Sequence, residues 1–183
     1  ALNLGFTSVM YDCSTDSYED NIAKVSEMCR IAHSMGSTVE GELGHVGDNE
    51  DSQEGDSHQD DPTKFYTDPK MAEDFVNRTN IDALAIAIGT AHGTYTCKPV
   101  LDIDRLREIR SVIDTPLVLH GGSGLTENDL KDCIRNGITK INIFTDMCVA
   151  AEAAIKSAEG NYHHIRDARV NAIKDVVIEK MKL

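Results

Sequence analysis

Two histidines stand at the ends of two apolar runs. Pro116-Leu-Val-Leu-His-Gly-Gly-Ser-Gly124 carries His120 directly after Leu117–Leu119, and Ala83-Leu-Ala-Ile-Ala-Ile-Gly-Thr-Ala-His-Gly93 carries His92. A short apolar run bounded by turn residues reads as a buried strand, so both imidazoles are expected at or just past strand C-termini. Two neutral imidazoles on adjacent strands suit Zn2+, which takes a third protein ligand and keeps an open position when it is catalytic. The plainer alternative is a pair of hydrogen-bonded histidines with no metal. The glycines after His120 would let backbone N–H groups approach an anion. Taken alone, Gly-Gly-Ser-Gly commonly marks only a turn. Its position beside His120, and the recurrence of the design at His92, favour a site.

Other polar residues also follow apolar runs. Thr38-Val-Glu-Gly-Glu-Leu43 alternates as a strand does and delivers Glu40 and Glu42 to one face. Asp12, Glu42, His92, His120, Asn142 and Thr145 all come after strands. In a parallel barrel every strand C-terminus shares one rim, and active sites lie there. Asp12 and Glu42 could lend an alternative metal ligand, orient a histidine, or take no part. For Asp12 a turn-forming role is an equal rival. Gly121–Gly124 and Asn142–Thr145 follow consecutive strands, as in the barrel phosphate site made by the last two βα loops and a helix start.

The elements needed to position these groups can be read in order. A strand over 7–11 leads to a helix over Tyr18–Ser34, whose apolar positions Ile22, Val25, Met28, Cys29 and Ala32 share a face. The strand Thr38–Leu43 precedes an acidic stretch from Gly44 to Pro62, expected to be a mobile loop; as a lid it would bring Glu50 or Asp51 over a neighbouring pocket. Asp68-Pro69 opens a helix to about Arg78. A strand over Ile81–Ile88 follows, then a helix capped by Asp102 or Asp104 and running to about Val112. After strand Leu117–Leu119, Thr126 opens a helix to about Arg135 with an acidic first turn. A strand over Ile138–Ile143, a helix to about Ala158 and a last helix over Ile165–Met181 complete the chain. This is βα repeated five times plus a terminal helix, hence α/β with parallel strands. The near-continuous apolar runs suit a sheet buried on both faces. No internal linker divides residues 1–183, so a single domain is expected.

Composition narrows the partners. The net charge is −13, with 31 acidic and 18 basic residues, which argues against nucleic acid or an anionic membrane. No apolar run approaches the ~20 residues of a membrane span, and no signal-peptide pattern opens the chain, so a cytoplasmic protein is expected. The five cysteines are scattered without C-x-x-C spacing, which points to reduced thiols.

Four motifs together carry a resemblance: Val39-Glu-Gly-Glu-Leu-Gly44, Ala87-Ile-Gly-Thr-Ala-His-Gly93, Pro116–Gly124 and Lys140-Ile-Asn-Ile-Phe-Thr145. In this order, and over essentially the whole chain, the sequence resembles the metal-dependent (class II) ketose-bisphosphate aldolases. The resemblance implies a (β/α)8 TIM barrel, of which this chain would supply about the last five βα units. It also implies a homo-oligomer, a zinc ion, and room for a monovalent cation. The implied reaction is reversible cleavage of fructose- or tagatose-bisphosphate to glycerone phosphate and glyceraldehyde 3-phosphate, with zinc stabilising the ene-diolate.

Residue by residue, His92 and His120 match two of three zinc ligands, and Asp12 and Glu42 match carboxylates near an alternative metal position. Gly93, Gly121, Gly122, Ser123 and Thr145 match phosphate contacts. Asn142 matches a contact to the ketone phosphate, and Glu50 matches a loop acid that moves a proton at the carbon becoming nucleophilic. The family's third histidine ligand, and the aspartate beside it, have no counterpart here, so the chain is expected to be a C-terminal portion whose open sheet edge would invite aggregation. Of the remaining histidines, His33, His58, His163 and His164 offer no obvious replacement, and His45 is the one to inspect. Cys13 and Phe144 also depart from the pattern; Phe144 bears on substrate stereochemistry. Two rivals remain: a catalytically silent remnant, and another metal-dependent sugar-phosphate barrel enzyme such as an isomerase.

Overall fold

The computed structural model describes residues 1–47, 62–95 and 98–183, with side chains at 62 and 63 excepted. Five strands alternate with helices: β1 (Ser8–Met10), α1 (Tyr18–Ser34), β2 (Thr38–Leu43), α2 (Pro69–Thr79), β3 (Ala83–Ile86), α3 (Ile103–Val112), β4 (Leu117–Leu119), α4 (Glu127–Arg135), β5 (Ile138–Ile141), α5 (Thr145–Ser157) and α6 (Tyr162–Lys180). The strands form one parallel sheet in sequence order, β1-β2-β3-β4-β5. Each successive strand is joined to its neighbour through a helix, as parallel pairing requires.

Local chemistry sets the helix starts. Ser17, Asp68, Asp102 and Thr126 each accept a backbone N–H of the first helical turn, satisfying donors that the helix leaves open. At α4 the cap is reciprocal, because Asp129 returns a bond to the Thr126 backbone. Helices α1 to α4 lie against one face of the sheet. There Val25, Cys29, Phe75, Leu84, Ile86, Leu106, Ile109, Leu117, Leu119 and Leu130 pack into one core. Phe75 is fully buried, and burying a side chain of that size contributes roughly 1.5–3 kcal/mol. The other face is different. Period-2 alternation puts Glu40 and Glu42 there, beside Ala85 and Val118.

Three expected boundaries shift, the first and the last for a hydrogen-bonding reason. The strand expected over 81–88 is confined to Ala83–Ile86: Ala87 exchanges its backbone bonds with Thr67 instead, and the Ile88 carbonyl accepts from the Asp102 N–H. The strand expected to reach Ile143 ends at Ile141. The last helix begins at Tyr162 rather than Ile165, because Asn161 Oδ1 accepts from the His163 and His164 amides. Burial on both faces holds for β2, β3 and β4 but fails for β1 and β5, where most positions are partly or fully exposed. Both lie at the ends of the sheet, with one neighbour each.

Among the described residues, Cys13, Cys29, Cys133 and Cys148 are free thiols, and no helix is long and apolar enough to cross a membrane.

Candidate active site

His120 follows β4 directly and is 4 % exposed. His92 lies on the loop after β3, and its backbone N–H donates to the Gly47 carbonyl at 2.8 Å. Tyr95 ties the two histidine loops together: its hydroxyl accepts from the Ala91 N–H at 2.8 Å and donates to the Gly121 carbonyl at 2.9 Å. Gly121 has φ +67°, and a Cβ there would stand 2.4 Å from the Ala91 carbonyl oxygen. Only glycine permits this approach. The two imidazole rings consequently come to 5.9 Å between centroids, inclined at 39°. Two imidazoles sharing one tetrahedral zinc at ~2.0–2.1 Å would have centroids about 5–6 Å apart.

Two carboxylates hold the His120 ring. Glu40 Oε1 lies 2.9 Å from Nε2, and Glu42 Oε2 lies 3.0 Å from Nδ1. Both glutamates are buried. Glu42 Oε1 also accepts from the Val46 N–H at 3.3 Å, and the Glu42 carbonyl accepts from Asn21 Nδ2 at 3.0 Å. The second oxygen of Glu40 is 2.7 Å from Lys140 Nζ. Burial of His120 works against its charged form, but hydrogen bonds and charge from Glu40 and Glu42 outweigh it and push the imidazole up to about 9. Burial likewise opposes ionisation of Glu40; the bonds from His120 and Lys140 prevail and hold its carboxyl below the usual range. These are the ordinary effects of desolvation opposed by an opposite charge.

This donor set fits zinc in residue type and in the spacing of His92 and His120. It is short of a full set: among the described residues no group of three or more His, Cys, Asp or Glu is arranged to hold an ion. A metal at His120 must displace one carboxylate from the ring. His45 does not fill the gap; it is exposed and meets the Phe65 ring edge-on at 6.3 Å. Asp12 is exposed, and its Oδ1 accepts from the Ser14 N–H at 2.8 Å, the turn-forming role. Glu50 and Asp51 lie outside the described residues.

Gly121–Gly124 lies against the start of α5. Gly122 N–H donates to the Asn142 carbonyl at 3.0 Å, and a Cβ on Gly122 would be 2.5 Å from Ile141 Cγ2. Ser123 Oγ is buried and accepts from the Phe144 and Asp146 amides at 3.0 and 3.3 Å. Gly124 N–H donates to Asp146 Oδ1 at 2.9 Å, while Asp146 Oδ2 pairs with Lys180 Nζ at 2.9 Å. A cleft of 540 Å³ opens here, lined in part by Gly93, Tyr95, Ser123, Thr145 and Lys180. Asn142 is half-buried, its N–H bonded to the Leu119 carbonyl. The structure thus gathers His92, His120 and Glu42 in one cluster and Gly93, Ser123 and Thr145 around one cleft, with Gly121, Gly122 and Asn142 in the loops between.

The sequence places Glu40 on the right face without giving it a partner and carries Lys140 in a motif without giving it a role; Tyr95, Asp146 and Lys180 do not stand out in it. A tyrosine two residues after a loop glycine and a lysine in mid-strand carry no distinctive signal.

The family model described as fructose-bisphosphate aldolase class-II matches residues 1–183. The chain belongs to this family. An Escherichia coli K12 relative named "Uncharacterized protein YdjI" is 40 % identical over 180 residues, covering 98 % of this chain and 63 % of the relative. The crystal structure of the E. coli YdjI aldolase matches at a TM-score of 0.81 and 34 % identity, covering 98 % of this chain and 60 % of that one. The fructose-bisphosphate aldolase (Fba) of Campylobacter jejuni matches at a TM-score of 0.70 over 95 % of this chain and 59 % of its own; at 24 % identity it speaks for the fold alone. This chain therefore spans under two thirds of the length of these relatives. Its five βα units are a consecutive run of the TIM barrel of class II aldolases, and the histidine cluster lies at the C-terminal ends of the strands, where barrel chemistry is found.

Proposed function

We propose that this chain is part of a zinc-dependent aldolase that reversibly cleaves a ketose 1,6-bisphosphate to glycerone phosphate and glyceraldehyde 3-phosphate. The observation that carries this reading is the 5.9 Å approach of the His92 and His120 rings beside the Gly121–Ser123 loop. His92 and His120 would hold the ion, with Glu42 or Asp12 serving an alternative position. When bound, zinc supplies a Lewis acid that polarises the ketone.

The remaining work falls to the protein. Gly93, Gly121, Gly122, Ser123 and Thr145 fix the phosphate end, so that the reacting carbon faces the aldehyde. Asn142 orients the ketone phosphate, and Glu50 exchanges the proton at the carbon that becomes nucleophilic. The working form would be a homo-oligomer, with room for a monovalent cation. The substrate is fructose- or tagatose-bisphosphate, which differ at one hydroxyl-bearing carbon; Phe144, 72 % exposed at this loop, is the residue to vary in separating them.

One observation favours a second reading, a catalytically silent protein: both His120 nitrogens are engaged by carboxylates. Cleavage of each bisphosphate by the full-length protein with added zinc decides between them. Formation of glycerone phosphate supports the aldolase, and no product with either substrate overturns it. Incubation with glycerone phosphate plus glyceraldehyde 3-phosphate separates an isomerase, which forms no six-carbon product.

A further inference from the structure

Glu40 is buried on the sheet face opposite the helices, yet it contacts two basic side chains. Its Oε1 meets His120 Nε2 at 2.9 Å and its Oε2 meets Lys140 Nζ at 2.7 Å. Lys140 reaches this face through an irregularity in the sheet. Leu117 pairs with Ile138, but Val118 pairs with Lys140, so Thr139 is an extra residue in β5. A bulge of this kind re-aims the following side chain. Without it Thr139 would oppose Val118 and the lysine would turn to the other face. Thr139 instead bonds the Leu117 carbonyl at 3.0 Å through Oγ1, which fixes the bulge.

We propose that Glu40 and Lys140 are positioning residues for His120, Lys140 locking the Glu40 carboxylate and Glu40 locking ring nitrogen Nε2. The inference rests on the reading that His120 ligates a metal. The two ring nitrogens are not equivalent. Nδ1 faces Glu42, whose other oxygen accepts from the Val46 N–H just past the end of β2. Nε2 faces Glu40, two residues further back along β2. Nδ1 is therefore the nitrogen on the rim side, open to exchange of Glu42 for an ion, and Nε2 is the anchor. A ligating histidine is oriented by the bond its other nitrogen makes. A lone buried carboxylate would be a poor anchor, since it would have to be desolvated without a counter-charge. Lys140 supplies that charge and occupies the oxygen that could otherwise swing away.

The test uses the full-length protein with Glu40→Gln, Lys140→Met and the conservative Lys140→Arg. Zinc affinity is measured by competition with a chelator, kcat and KM on the bisphosphate, and the His120 ring nitrogens by NMR of metal-free protein. Loss of such an outer partner weakens metal binding about 10–100-fold. That loss is expected in Glu40→Gln and Lys140→Met and reversed in Lys140→Arg, with altered ring-nitrogen signals and a larger effect on kcat than on KM, because the bonds of Glu40 and Lys140 go to His120 and to each other. The Lys140 side chain is 52 % exposed, so Lys140→Met removes little core packing and decides the matter if Glu40→Gln does not fold. Unchanged zinc affinity and unchanged ring signals overturn the proposal. Failure of the metal reading shows differently: His92→Ala and His120→Ala then keep the parent's zinc affinity. In that case the ring-nitrogen signals alone decide, altered signals upholding the anchor and unchanged ones overturning it.

Discussion

Raising the pH of the metal-free protein should weaken the fold through His120. Burial opposes its charge, but Glu40 and Glu42 outweigh burial and raise the imidazole from 6.5 to about 9. A group whose folded pKa is raised stabilises fully below the unfolded value, and that stabilisation disappears as pH climbs through the folded value. The window therefore runs from about 6.5 to about 9. At ~1.4 kcal/mol per pKa unit the loss is about 3 kcal/mol. The His120 side chain is only 5 % exposed, so solvent screening takes little from this figure, and Glu40, the other half of the same pair, adds nothing further. With a urea m-value of about 1–3 kcal/mol/M, the midpoint should fall by about 1–3 M between pH ~6 and ~9. Urea titrations after chelation, on the parent and on His120→Gln, measure it. The variant removes the imidazole and controls for the buried Cys29 and Cys133 thiols, which burial pushes up to about 11. A midpoint that is flat or rising in the parent, or falling equally in His120→Gln, would refute the assignment of a charged His120 between two carboxylates.

Gly121→Ala forces a residue at φ +67° against the Ala91 carbonyl; the backbone strain alone costs about 1–2 kcal/mol, and parting the two loops should lower zinc affinity as well, read by denaturation and chelator competition. Ser123→Ala leaves the Phe144 and Asp146 amides without their acceptor; a loss of about 0.5–2 kcal/mol, as for a helix cap, should accompany a raised KM for the bisphosphate. Phe75→Ala, in the fully buried core between α2 and the sheet, should cost about 3–5 kcal/mol while leaving the zinc affinity of the folded protein unchanged.

Much of this architecture is legible from residue types because local chemistry settles it. Asp68, Asp102 and Thr126 announce α2, α3 and α4 by capping, and the apolar runs of β3 and β4 are short and cleanly bounded. Glu40 and Glu42 share a face by strand period alone. What cannot be read depends on contacts between distant segments. The Thr139 bulge is set by register against β4, so nothing in Ile138–Ile141 reveals that Lys140 meets Glu40, a hundred residues away. Tyr95 clamps two loops only once β3 and β4 are paired. The strand expected through Ile88 stops early because Thr67, far off in sequence, takes over the Ala87 backbone groups.

The central claim is that His92 and His120 grip one zinc ion. Its most direct test is the zinc content of the purified full-length protein beside that of His92→Ala and His120→Ala, each confirmed folded. The account requires one equivalent in the parent and its loss in both variants. One equivalent retained in either variant would place the metal elsewhere and contradict the account.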